Sequence, residues 1–115
     1  MLNPMAQPPN PELAEIERRK ITDYLLSRTH PVGRGKASFF EKLGFDAGEP
    51  AALESALREL AQNPIATKTQ DTGFGMKYIV DGDLRGPAGN AALRSIWIVD
   101  RGSNVARFVT AYPLG

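Results

Sequence analysis

Phe74-Gly-Met-Lys-Tyr-Ile-Val-Asp-Gly-Asp-Leu84 alternates with the two-residue period of a strand, Met76, Tyr78 and Val80 on one side and Lys77, Ile79 and Asp81 on the other. Downstream, Arg85-Gly-Pro-Ala-Gly-Asn90 has the composition of a hairpin loop. Ala91–Asp100 follows, and its centre, Ile96-Trp-Ile-Val99, is apolar on both faces. That predicts an interior strand, with Trp97 buried against Leu53 or Leu57. Arg101-Gly-Ser-Asn104 is a tight turn, and Val105–Tyr112 is a last strand ended by Pro113. On the other side, Asp71-Thr-Gly73 separates this array from Ile65–Gln70, a threonine-rich candidate for an edge strand. Three or four sequential strands joined by short turns make an antiparallel meander.

Upstream the period changes to that of a helix. Glu49–Gln62 puts Leu53, Ala56, Leu57, Leu60 and Ala61 on one side, keeps Glu54, Arg58 and Glu59 in water, and stops at Asn63-Pro64. A helix from about Lys36 carries Phe39, Phe40 and Leu43 on one face and ends at Gly44. Asn10-Pro-Glu12 is a helix-start signal, and Thr22-Asp23 is a second one, so a break is expected near Lys20. Thr29-His-Pro-Val-Gly-Arg-Gly35, with its proline and two glycines, reads as an irregular loop. Residues 1–10 contain Pro4, Pro8 and Pro9 and little to pack, which predicts a mobile proline-rich arm ahead of one domain at residues 11–115. The expected class is α+β: N-terminal helices, then a three- to four-stranded antiparallel meander with the helices on one face.

Composition narrows the chemistry. The chain of 115 residues has no Cys, which excludes disulfides, thiolate metal sites and cysteine nucleophiles. His30 is its only histidine, which excludes a multi-histidine metal site and a two-histidine ribonuclease mechanism. No metal or cofactor is therefore expected. No apolar run approaches the ~20 residues of a membrane span, so no membrane partner is expected. Net charge is +1, but it is unevenly spread. Residues 28–45 hold four cations against one acid, residues 46–83 three against seven, and residues 84–115 four against one. If folding joins the two basic blocks, the result is a surface for phosphate or for an acidic protein.

His30-Pro-Val-Gly-Arg34-Gly-Lys36 is the segment richest in chemistry. An imidazole beside cations can act as general acid or base, and backbone amides leading into a helix favour anions. The competing reading is a loop histidine that bonds a carbonyl, with Arg34 and Lys36 merely solvated. Near the C-terminus, Arg107-Phe-Val-Thr-Ala-Tyr-Pro113 alternates so that Phe108, Thr110 and Tyr112 share a side, from which Thr110 and Tyr112 can bond a phosphate. Arg94 and Lys77, charged among apolar neighbours, are either sheet-surface residues or phosphate-binding cations.

The order Ile21-Thr-Asp-Tyr-Leu-Leu26, His30-Pro-Val-Gly-Arg-Gly-Lys36, Leu43-Gly-Phe45, Gly75-Met-Lys-Tyr78, Ile96-Trp-Ile98 and Arg107-Phe-Val-Thr-Ala-Tyr-Pro113 resembles a family of uncharacterised small bacterial domains. Those domains occur alone or at the C-termini of large secreted polymorphic toxins, and the likeness spans residues 21–113. The layout is also similar to the barnase–EndoU–colicin–RelE superfamily of metal-independent ribonucleases, an analogy of architecture. The resemblance implies an RNA-cleaving domain of bacterial toxin type, with His30, Lys36, Arg94 and Thr110 as catalytic residues and Arg34, Lys77 and Tyr112 binding substrate. Its implied partners are RNA and a cognate antitoxin or immunity protein. It would act in the cytoplasm or form the C-terminal module of an exported toxin. The alternative is a non-catalytic binding module, such as an antitoxin or immunity-type partner, that uses the basic loop 30–36.

Overall fold

The strand signals of the C-terminal half do form one sheet. In the computed structural model, which describes residues 7–30 and 34–114 (of Arg34 the backbone only), β1 (Ala66–Asp71), β2 (Gly75–Gly86), β3 (Gly89–Asp100) and β4 (Arg107–Pro113) pair antiparallel in the order β1-β2-β3-β4. The fold is α+β, as expected. Strands β2 and β3 pair over their whole length, from Gly75 opposite Asp100 to Gly86 opposite Gly89. The hairpin turn is therefore only Pro87-Ala88, and the loop expected at residues 85–90 is mostly strand.

One face of the sheet is the core. Val80, Leu84, Leu93, Trp97, Phe108 and Ala111 are buried against the apolar sides of the helices, including Leu53, Leu57 and Leu60 of α3 (Pro50–Gln62) and Phe40 of α2 (Arg34–Lys42). Trp97 is fully buried, its ring 5.3 Å edge-on from Phe108 and its Nε1–H bonded to Ser95 Oγ at 2.8 Å. The opposite face carries Lys77, Ile79, Asp81, Arg94, Ile96 and Ile98, by the same two-residue alternation. Ile79 lies opposite Ile96 there, outside the main core cluster.

The register of β3 and β4 breaks once. Trp97 pairs with Phe108 and Ile96 with Thr110, which leaves Val109 as a bulge. The expectation that Phe108, Thr110 and Tyr112 share a side is corrected by that extra residue. Phe108 turns into the core, whereas Thr110 and Tyr112 lie opposite Ile96 and Arg94, on the other face.

The N-terminal stretch differs most from its sequence pattern. Asn10 has a left-handed backbone (φ 47°) and no side-chain cap, and only one 3-10 turn, Pro11–Leu13, follows. Residues 14–17 are then extended, and Glu15 bridges β4: its amide bonds the Ala106 carbonyl and its carbonyl accepts from the Phe108 amide, both at 2.8 Å. The short helix α1 (Arg18–Lys20) runs without interruption into a π-helical turn, Ile21–Leu25. The break thus lies before Arg18, not near Lys20, because pairing with β4 outweighs weak helix propensity in a short segment. Of the expected arm, residues 1–6 lie outside the described residues, while Pro8 is buried and Asn10 Nδ2 donates to the Asn104 carbonyl. Among the described residues no helix is long and apolar enough to cross a membrane.

Candidate functional site

The bulge and the π-helical turn meet along the outer edge of β4. Lys20 Nζ donates to the carbonyl of the bulged Val109 at 3.1 Å. One residue on, Thr110 presents its hydroxyl to Tyr24, whose Oη is 3.2 Å away. The first turn of α2 brings in Lys36, whose ammonium donates to Tyr24 Oη at 2.7 Å and to Thr110 Oγ1 at 3.0 Å. Two of its three N–H groups are thereby aimed by hydroxyls from two separate elements. The same nitrogen lies 4.8 Å from the centroid of the Tyr24 ring and 5.8 Å from that of Tyr112.

His30 completes the group. Its ring meets the Tyr24 ring edge-on at 5.0 Å. Its backbone is fixed by Ser27, whose Oγ accepts from the amides of Thr29 at 3.3 Å and His30 at 3.1 Å. Tyr24, His30 and Thr110 line a groove of about 540 Å³, together with Glu17, Arg19, Lys20, Asp23 and Val109. Partial burial acts to raise the pKa of the Tyr24 phenol. The hydrogen bonds from Lys36 and Thr110 and the charges of Lys36 and Lys20 outweigh it, so the phenol ionises below its ordinary value.

The residues singled out from sequence distribute unevenly. Folding gathers His30, Lys36 and Thr110 about Tyr24 and brings the Tyr112 ring near the Lys36 ammonium. Arg94 is the cross-strand neighbour of Tyr112, yet its guanidinium makes a two-point bond to the Asp81 carboxylate at 2.7 and 2.8 Å. That bond raises its pKa further, with a smaller contribution from Tyr112, and balances its charge. Lys77 belongs to β2, opposite Ile98 and Gln70, and does not line the groove. The side chain of Arg34 lies outside the described residues. Among the described residues no three His, Asp or Glu side chains gather as a metal ion would require.

Tyr24 is the hub that sequence reasoning passed over. It sits where a helix was expected, and its phenol was the one signal available: an aromatic ring with a polar tip six residues before His30.

A profile of the family described as "Domain of unknown function (DUF6883)" matches residues 7–115. No curated protein matches the chain. Among solved structures, a chain of the "Contact-dependent growth inhibition toxin - immunity protein complex from Klebsiella pneumoniae 342" is similar at 18% identity with a TM-score of 0.69, over 88% of this chain and 100% of that one. At that identity the likeness is one of fold.

Proposed function

The chain belongs to the DUF6883 family of domains of unknown function, and on that footing we propose that it is a metal-independent RNA-cleaving domain of bacterial toxin type, acting on RNA in the cytoplasm. The observation that carries this reading is the Lys36 ammonium, aimed by the hydroxyls of Tyr24 and Thr110, two residues that line an open groove together with His30. RNA can be cut by its own ribose 2′-hydroxyl, so the protein need only move protons and stabilise charge. His30 takes the 2′-hydroxyl proton, a contribution of typically 10²–10⁴-fold. Lys36 faces the pentacoordinate phosphate, where one well-placed donor is worth about 10²–10³-fold. Thr110 and Tyr112 hold the phosphate in register. Arg94 is a lesser contributor, because Asp81 already balances its charge. The fold shared with a member of a toxin–immunity protein complex is in keeping with this role.

The test is incubation of the chain with total tRNA and rRNA in excess chelator. The parent should leave 2′,3′-cyclic phosphate ends, and His30→Ala should lose about 10²–10⁴-fold in rate while still binding RNA. Equal cleavage by His30→Ala overturns the mechanism at its base. That same complex also contains a partner protein, which favours a second reading, an immunity-type binding module. If neither protein binds RNA at low salt, the second reading replaces the first.

A further inference from the structure

We propose that Tyr24 is the general acid of the cleavage step, the residue that protonates the leaving 5′-oxygen. This inference rests on the ribonuclease reading above and deepens it. In-line transesterification needs two proton transfers on opposite sides of the phosphorus. In the cluster about Lys36, His30 and the phenols of Tyr24 and Tyr112 can exchange a proton at a neutral oxygen, and of the two phenols Tyr24 is the one that lines the groove. Lys36 is committed as a cation between two hydroxyls, 2.7 and 3.0 Å away.

Because Lys36 donates to Tyr24 Oη, the phenol oxygen is already an acceptor and its own proton points elsewhere. Its two outlets are Thr110 Oγ1, at a long 3.2 Å, and the groove that Tyr24 lines. After transfer, the charge left on the phenolate faces the ammonium directly, so the acid's product is stabilised where it forms. The lowered phenol pKa agrees with that arrangement.

The step balances. His30 accepts the 2′-hydroxyl proton, O2′ bonds to phosphorus, the bond from phosphorus to O5′ breaks, and the Tyr24 proton goes to O5′. The products are a 2′,3′-cyclic phosphate and a 5′-hydroxyl. His30 then loses a proton to water and Tyr24 regains one from it, which resets both groups.

The test compares two substrates of one sequence: ordinary RNA, and RNA with sulfur in place of the 5′-bridging oxygen at the cleaved site. A thiolate leaves without being protonated, so it has no need of the acid. Tyr24→Phe, which keeps the ring, should cut ordinary RNA at least about 10²-fold more slowly than the parent and recover most of that loss on the sulfur substrate, where only the aim of Lys36 is missing. His30→Ala should be slow on both. Equal losses of Tyr24→Phe on the two substrates would make Tyr24 a positioning residue and overturn the inference while leaving the nuclease reading standing. Undiminished cleavage of ordinary RNA by Tyr24→Phe would overturn it as well. A parent chain that cuts neither substrate overturns the ribonuclease reading itself, and the inference with it.

Discussion

Lys36 acts on its neighbours through charge and through the direction of its N–H groups, and both effects are measurable at Tyr24. Replacing it with Met keeps most of the volume but removes the ammonium. The Lys36 hydrogen bond and charge that lower the phenol pKa vanish, while the burial that raises it remains, opposed only by Thr110 and Lys20. Ultraviolet titration should therefore show a phenol that ionises below its ordinary value in the parent and later in Lys36→Met. The sign carries over to stability. Between the lowered pKa in the folded chain and the ordinary value of 10.0, the unfolded chain binds the extra proton. Folding is thus favoured as pH rises through that window, and the gain disappears as pH falls through the folded value. Lys36→Met should flatten that rise. A rise of the same size in the variant would show that Lys36 does not set the phenol.

At the scale of elements, β3 is the spine and α2 is docked on the turn that leads into it. Trp97 is fully buried against Phe108, so Trp97→Ala should cost about 3–5 kcal/mol in urea unfolding. An unchanged midpoint would contradict an interior β3. The docking of α2 depends on a close approach. Ala88 donates its amide to the Leu43 carbonyl at 2.9 Å, and a methyl group at Gly86 would meet the Leu43 carbonyl oxygen, with Leu43 Cβ at 2.9 Å. Gly86→Ala should destabilise the chain by about 1–3 kcal/mol, because backbone must move to admit the methyl. Gly35, by contrast, is exposed in α2 with nothing within 4 Å of an added Cβ. Gly35→Ala should raise stability by up to about 1 kcal/mol through helix propensity alone. Opposite signs for the two substitutions, read from thermal melts, are the expected outcome.

For the whole molecule, the N-terminal segment covers the start of the β4 edge. Glu15 pairs with the strand, Arg58 Nε donates to the Ala14 carbonyl, and Arg18 pairs with Glu54 of α3. Pro8 is buried at the start of this cover. Removing residues 1–6 should leave the melting temperature within about a degree, whereas removal through Asn10 should lower it by roughly 4–8 °C if about 1 kcal/mol of packing is lost. Identical melting temperatures for the two truncations would show that Pro8 and Asn10 contribute nothing to the fold.

The α+β class, the four strands, the helix over Pro50–Gln62 and the interior place of Trp97 were legible in the sequence, because each rests on a local period of burial repeated over many residues. His30, Lys36 and Thr110 were singled out from sequence as polar groups, and the fold gathers them about Tyr24. Two things were not legible. The sequence stretch from Asn10 to Leu25 carries helix signals, yet pairing with β4, 92 positions away at Arg107, pulls its centre straight. The strict alternation of Arg107–Pro113 hides the bulge at Val109, which depends on how β4 registers against Ile96 and Trp97. That one extra residue swings Thr110 away from Phe108 and toward Tyr24 and Lys36. Local periodicity determined which segments are helix and strand; long-range backbone pairing alone decided which hydroxyls surround the lysine, because a register is a relation between two strands and is written in neither.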